Sequence, residues 1–252
     1  MASLLLEVFV AALITDLATG LGAVPFFFVR EIPQAYNGMA WGVAAGLMLS
    51  ASFIDLIFPA LDMGGPVQLV AGAAIGLGFY LAGERLVHSL DFGFEDITDA
   101  DSVTRIIMIL GVMTVHSFPE GFAIGLAFIS GIEGLGLILA LVIAIHNIPE
   151  GLAISIPLKA EGVSTWRCVG YAILSSVPQP IAAVIIVLLT DLLRDYLALG
   201  FGFAGGAMLA LVGLEMVPEG LEYGQRSSFA LGTAIGIVLM YLINVWVQFP
   251  GV

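Results

Sequence analysis

Charge is the scarcest feature of this 252-residue chain. Only 11% of its residues are charged, whereas 60% are hydrophobic, and the mean hydropathy is +1.09. Ordinary soluble domains carry about 25% charged residues, so the chain has too little polar surface to keep a folded molecule in water. These figures predict a multi-pass integral membrane protein, surrounded by the lipid bilayer of a plasma or inner cell membrane.

Basic residues and cysteine are rarer still. Seven Lys and Arg stand against 20 Asp and Glu, which gives a formal net charge of −13. This balance disfavours nucleic acid as a partner and provides no basic patch for anionic lipid. The single cysteine, Cys168, excludes an internal disulfide and a CxxC motif, so any metal chemistry must come from His, Asp and Glu.

Long apolar runs fill most of the remaining sequence. A helix needs about 20 apolar residues to cross a hydrocarbon core of about 30 Å. Eight stretches reach that length: residues 4–29, 39–61, 67–87, 106–129, 135–158, 169–189, 197–217 and 229–247. Turn and charge signals separate them, and no connection is long enough for a soluble domain. Residues 1–252 are therefore expected to form one all-α transmembrane domain of eight helices.

The basic residues also predict the orientation of these helices, because short cytoplasmic loops collect Lys and Arg. If both termini are extracytoplasmic, Arg194 alone lies outside. The other six then lie on the cytoplasmic side: Arg30, Arg85, Arg105, Lys159, Arg167 and Arg226. The opposite orientation would reverse this bias, so we expect both termini outside.

Two internal similarities relate helices that run in opposite directions. VHSFPEGFAIG at residues 115–125 recurs as IHNIPEGLAIS at residues 145–155. More weakly, residues 44–59 resemble residues 203–218, with Pro59 matching Pro218. Inverted repeats with interrupted helices at corresponding positions indicate a transporter site.

The stronger repeat carries the candidate ligands His116, Glu120, His146 and Glu150. In each copy His and Glu are four residues apart, so they share one helical face. His116 lies ten residues into the fourth span, or about 15 Å, which is close to the membrane midplane. A buried carboxylate there costs roughly 2.5 to 3.5 kcal/mol, so two of them indicate a compensating cation.

The ligand types narrow the choice of ion. Two imidazoles and two carboxylates suit Zn²⁺, and also Fe²⁺, Mn²⁺, Co²⁺ or Cd²⁺, whereas an all-oxygen site would indicate Mg²⁺ or Ca²⁺. Ser117 and Asn147 each follow a motif histidine, and they are candidates to complete the shell or to form an adjacent second site. Gly121 and Gly151 predict close approach of a neighbouring helix.

The two motifs, HSFPEG and HNIPEG, resemble those of the fourth and fifth helices of the ZIP (ZRT/IRT-like protein) family of divalent-metal transporters. The segments GLGAVPFFF, SASFIDLIFPAL and GAMLALVGLEMVPE are similar to that family's first, second and seventh helices. The resemblance implies transport of the ion toward the cytoplasm through a site between helices four and five. It further implies alternating access, often in a homodimer, with the metal as substrate and no cofactor.

The sequence departs from the family pattern at two ligand positions. Many relatives have Asn after the first His and Glu on helix six, where this chain has Ser117 and Gln179. Loss of an anionic ligand weakens a second metal position, although Gln179 stays a candidate ligand. The family's His-rich loop between helices three and four is replaced by the short acidic segment at residues 91–101.

Two other functions fit less well. An intramembrane zinc-dependent hydrolase would use a metal-activated water and a glutamate base, but the sequence lacks HExxH. A metal-responsive receptor would need a soluble output domain. The sequence therefore favours a carrier over an enzyme.

Overall fold

The computed structural model describes residues 2–29, 33–89 and 100–248, and within these ranges it is helical without strands. The α-helices are α1 Ala2–Leu21, α2 Gln34–Ala51, α3 Phe58–Ser89, α4 Ala100–Ile129, α5 Leu135–Ala160, α6 Thr165–Ser176, α7 Pro178–Leu188, α8 Thr190–Leu193, α9 Leu197–Leu211, α10 Val217–Tyr223 and α11 Arg226–Gln248. Short 3₁₀-helices occupy Val24–Phe27 and Arg194–Tyr196.

Seven helical stretches in the described residues are long and apolar enough to cross a membrane. One of them, Ala35–Ser89, has 55 residues, which is far more than a single crossing of about 30 Å requires. Gly65 interrupts this stretch with a φ of 72° and a ψ of −177°, a conformation that glycine adopts readily. Pro66 follows at once, so the boundary predicted between the stretches 39–61 and 67–87 is a sharp break between two helical segments.

The helices agree with the predicted multi-pass membrane protein. α6 and α7 together fill one of the seven stretches, Thr165–Leu188, and α8 to α10 fill another, Thr190–Glu222. Most of the acidic segment at residues 91–101 lies outside the described residues.

Two π-helical turns occupy matching places in the weaker repeat. One spans Ser52–Ile57 between α2 and α3, and the other spans Val212–Met216 between α9 and α10. In both, the amide before the repeat's proline bonds five residues back, from Phe58 N–H to Phe53 O and from Val217 N–H to Val212 O. Because the next residue, proline, has no N–H to donate, the helix widens at the same register in each copy.

Four of the helices form two closely packed pairs, and each pair meets through glycines spaced as GxxxG. α2 packs along α11, with Gly42 and Gly46 against the α11 backbone, and α3 packs along α9, with Gly72 and Gly76 against the α9 backbone. The partner helices present pairs of their own at residues 202 and 206 and at residues 232 and 236. A Cβ at any of these positions would collide with the neighbouring backbone, so only glycine permits this spacing.

The remaining long helices form a second group, in which α1, α4, α5, α6 and α7 pack on one another. Most of the buried polar side chains belong to this second group, including both motif histidines and both motif glutamates. The glycine-packed helices α2, α3, α9 and α11, here called the first group, bury few polar side chains together with the turn that joins α2 to α3. These are chiefly Ser50, Ser52, Asp55 and Asn244. The fold therefore gathers its buried polar groups in one half of the molecule.

Candidate metal centre

The packing of α4 against α5 brings the two motifs together in the interior. His116, Glu120, His146 and Glu150 are each at most 1% exposed. His116, Glu120 and Glu150 each place one ligand atom within 4.8 Å of the others. Among the described residues, these three form the group of His, Cys and acidic side chains that could hold a metal ion. His146 stands outside that group but contacts its central member, Glu120.

Glu120 is the meeting point of the four side chains. Its Oε1 lies 2.8 Å from Nε2 of His146 and 3.3 Å from Nε2 of His116. Its other oxygen, Oε2, accepts a hydrogen bond from Nε2 of Gln179. One carboxylate therefore links α4 to α5 and to α7.

Glu150 has the opposite environment. Both of its carboxylate oxygens are buried without a hydrogen-bond partner, and so is Nδ1 of both histidines. Burying polar groups without a partner is costly, and most costly for a carboxylate. The unpartnered atoms belong to the same residues whose ligand atoms lie together, which is the arrangement expected of an ion site.

The prolines of the motifs lie inside helices that continue past them. α4 contains Pro119 and α5 contains Pro149 and Pro157. Pro119 has no N–H for the carbonyl of Val115, four residues earlier, and Pro149 has none for Ile145. Each motif therefore carries a backbone oxygen without its helical donor one residue before the histidine.

The motif glycines confirm the predicted close approach of neighbouring helices. A Cβ at Gly121 would collide with the backbone of Gln179 in α7, and a Cβ at Gly151 would collide with the carbonyl of Thr19 in α1. Because each glycine directly follows a motif glutamate, it brings another helix to the level of the carboxylates. The site is thus assembled from α4, α5, α1 and α7.

A network of amides and hydroxyls surrounds Gln179. Its Oε1 accepts a hydrogen bond from Asn147 Nδ2 at 3.2 Å and lies 2.6 Å from Thr15 Oγ1, whose single hydrogen is shared between this oxygen and the carbonyl of Ala12 at 2.7 Å. Asn147 Nδ2 also donates to the backbone carbonyl of Thr15 at 2.9 Å. Thr15 is not among the residues predicted above, although polar residues four apart in an otherwise apolar span, here Thr15 and Thr19, indicate an inward-facing stripe.

Ser117 and three further acids of the apolar spans, Asp16, Asp55 and Asp62, have other surroundings. Ser117 Oγ donates to the carbonyl of Met113 in its own helix at 2.9 Å. Asp55 accepts from Asn244 at 3.2 Å, and Asp16 is buried beside Thr15 with Oδ1 unpartnered. Asp62 is exposed, and none of these three acids is among the residues whose ligand atoms lie together.

The donor set fits a divalent transition-metal ion. Imidazole nitrogen and carboxylate oxygen are the ligands that zinc takes where no thiolate is present, and Cys168 contacts the carbonyl of Val163 instead of the motif residues. The two carboxylates together carry the charge that neutralises one divalent cation. Chemically, the arrangement can bind and release such an ion in a space lined by protein.

Comparison with known proteins identifies relatives along most of the chain. A family model described as ZIP Zinc transporter matches residues 95–244. The chain is 33% identical over 247 residues to the zinc transporter GufA of Myxococcus xanthus, which covers 93% of this chain and 96% of that protein. It is 33% identical over 239 residues to the zinc transporter ZIPB of Bordetella bronchiseptica, which covers 90% of this chain and 77% of that protein.

A longer Arabidopsis thaliana protein, provisionally named as a zinc transporter, is 40% identical over 230 residues. These residues are 90% of this chain, but the chain spans only 36% of the length of that protein.

The contrast between the two glutamates yields a prediction on stability. Glu150→Leu should raise the melting temperature of the metal-free protein in detergent, because it removes buried oxygens without partners, a gain of about 1 to 3 kcal/mol. Glu120→Leu should lower the melting temperature, because it strands His116, His146 and Gln179, a loss of about 3 to 5 kcal/mol. Equal destabilisation by both substitutions would contradict this description of the site.

Proposed function

The chain belongs to the ZIP family of zinc transporters, and on that premise we propose that it carries a divalent transition-metal ion, with zinc as its principal substrate, toward the cytoplasm. The observation that carries the proposal is the cluster of His116, Glu120 and Glu150, buried and with ligand atoms within 4.8 Å of one another. His146 completes the set through its contact with Glu120. The metal is the substrate of this process, and the chain belongs to a family of transporters and not of enzymes.

The same ligands define which ions compete with zinc. Imidazole and carboxylate ligands also accept Fe²⁺, Mn²⁺, Co²⁺ and Cd²⁺, so these ions should compete for the site. Ion binding requires neutral imidazoles and ionised carboxylates, so it releases whatever protons these groups hold. An intramembrane hydrolase is not favoured, because the named relatives are transporters.

We propose eight membrane crossings with both termini extracytoplasmic. The break at Gly65 supports the count, because it divides the 55-residue stretch into two segments, each of a length that can cross the bilayer. The distribution of basic residues supports the orientation. In this arrangement α4 and α5 run in opposite directions, and their motifs meet near the membrane midplane.

Alternating access would arise from movement between the two helix groups. Within the first group, GxxxG glycines hold backbone against backbone, and within the second Gly121 and Gly151 do the same. Between the groups, aromatic rings meet in the pairs Phe79–Phe118 and Phe122–Phe203, and Gly83 faces the side chain of Val115 instead of its backbone. Backbone contacts resist sliding and side-chain surfaces permit it, so each group is suited to move as a unit.

The transport proposal predicts the loss of flux in a single variant. Purified protein in liposomes loaded with a zinc-sensitive dye should give saturable Zn²⁺ influx, and Glu150→Ala should reduce it to the rate of empty liposomes, because one of the two neutralising carboxylates is gone. Glu133→Ala, which removes an exposed loop carboxylate, is the matched control and should transport normally. Normal flux through Glu150→Ala would refute the assignment of the site.

The two-group mechanism predicts that a disulfide between the groups stops transport. In a Cys168→Ala background, cysteines at positions 83 and 115 would join α3 to α4, because a Cβ at Gly83 lies 3.3 Å from Cβ of Val115. Oxidation should abolish Zn²⁺ flux and a reductant should restore it.

Cysteines at positions 205 and 56 provide the control within one group, where the corresponding separation is 3.5 Å. That oxidised pair should transport at the rate of its reduced form. If the fully cross-linked 83–115 pair also transports at its reduced rate, the two groups do not move against each other.

A further inference from the structure

An apolar groove lies at the boundary between the two helix groups. One wall is α2, from the first group, and the other walls are α1, the 3₁₀-helix that follows it and α5. Its volume is about 340 Å³, which falls within the range of roughly 300 to 1,000 Å³ that is usual for ligand pockets. None of the motif histidines and glutamates lines the groove, so it is separate from the metal centre.

Small residues leave this space open. Gly22, just after α1, lies directly on α5, because a Cβ there would collide with the α5 backbone between Ile148 and Leu152. Ala40 lines the groove from α2 and contributes only a methyl group. Because neither Gly22 nor Ala40 has a side chain that reaches across, a gap is left between α1, α2 and α5.

The mouth of the groove faces the bilayer. Three of the lining residues, Leu21, Tyr36 and Ile148, are 53%, 65% and 39% exposed. They belong to apolar helices long enough to cross a membrane, so their exposed surfaces contact lipid. Tyr36 is the second residue of the stretch Ala35–Ser89, at the membrane boundary where tyrosine rings are enriched. In the orientation proposed above, this boundary is the cytoplasmic one.

The chemistry of the lining favours a hydrocarbon occupant. Of the described residues that line the groove, Tyr36 alone has a nitrogen or oxygen atom in its side chain. A bound water molecule needs two to four polar partners, which this lining does not supply. At this depth the surrounding medium consists of lipid acyl chains, so an acyl chain is the molecule that is both available and apolar.

The shape of the groove also distinguishes a lipid chain from a helix of a second copy. A helix with its side chains is about 10 to 12 Å wide, which is too broad for a groove of about 340 Å³. An acyl chain is a single row of methylene groups and can follow the gap between three helices. The lipid-facing surface of α11 around Val238 is different, because its lining residues all belong to one helix.

The groove touches the outer face of the helix that carries the second motif. Pro149 lines it together with Ile148 and Leu152, whereas the next residue, Glu150, is buried in the interior. At Pro149 the carbonyl of Ile145 lacks its helical donor. A chain in the groove therefore packs against α5 at the point where its backbone hydrogen bonding is interrupted.

We propose that this groove binds one acyl chain of a membrane phospholipid, and that the bound chain stabilises the packing of α2 against α1 and α5. The chain contacts both helix groups at once, so it favours the arrangement of the groups in which the groove has this width. The proposal goes beyond metal transport, because neither the groove nor its occupant involves the motif ligands.

The test is lipid binding to the purified full chain, first stripped of lipid in a steroid-based detergent whose fused rings are wider than an acyl chain. After addition of a phosphatidylcholine, native mass spectrometry should show one lipid retained per chain. The melting temperature should rise by about 5 to 10 °C at a lipid concentration a hundred times the dissociation constant. Ala40→Phe should retain no lipid and show no rise, because its ring fills the groove.

Matched controls separate the groove from the rest of the lipid-facing surface. Ala234→Phe adds the same ring to the exposed surface of α11 and should keep both the retained lipid and the rise. Lysophosphatidylcholine, with one chain, should raise the melting temperature, and glycerophosphocholine, with none, should not. If Ala40→Phe is not monodisperse, Met39→Trp serves in its place, because Met39 also lines the groove.

Three results would overturn the inference. The first is an equal retained lipid and an equal rise in the unsubstituted chain and in the groove-filling variant. The second is a rise produced by glycerophosphocholine alone. The third is a dimer without retained lipid that the groove-filling variant dissociates, which would make a second copy the occupant. Failure of the proposed function looks different, since the chain would then retain its lipid but show no Zn²⁺ influx in liposomes.

Discussion

The carboxylate of Glu150, buried without a hydrogen-bond partner, is the constraint on which the rest of the structure depends. A bilayer offers no water to a buried polar group, so such a group must find a partner within the protein or in a ligand. Glu120 has its partners in two histidines and a glutamine, but Glu150 has none. The two motif glutamates therefore differ in their partners, and a bound ion would give Glu150 the partner that it lacks.

The surrounding helices are organised around that cluster. The motif glycines bring α7 and α1 to the level of the carboxylates, and the Gln179 amide of α7 bonds to Glu120, whereas Glu150 has no hydrogen-bond partner. The other helix group contributes GxxxG packing and aromatic side chains at the boundary, and little buried polarity. A polar half packed beside an apolar half is consistent with the proposed carrier, in which the two groups move against each other.

Much of this arrangement could be predicted from the sequence. The lack of charge predicts the membrane, the apolar runs predict the helices, and the duplicated HxxPEG places His116, Glu120, His146 and Glu150 on facing helices. These inferences succeed because they depend on local periodicity and on the cost of buried charge. The break at Gly65 could also be anticipated, because Gly-Gly-Pro is a strong turn signal.

The remaining features depend on contacts between distant parts of the chain. The role of Thr15 requires α1 to lie against α5, and the hydrogen bonds of Gln179 involve three other helices. The π-helical turns result from backbone pairing near Pro59 and Pro218, where a proline alone predicts only a bend. The sequence contains the glycines at GxxxG spacing, but it does not indicate which helix each pair contacts, because that depends on the tertiary structure.

X-ray absorption at the zinc K edge, on the purified chain loaded with stoichiometric Zn²⁺, tests the central claim most directly. The account predicts a shell of imidazole nitrogen and carboxylate oxygen at about 2.0 to 2.2 Å, with multiple scattering from two histidine rings. Zinc without imidazole scattering, or with sulfur at about 2.3 Å, would contradict it.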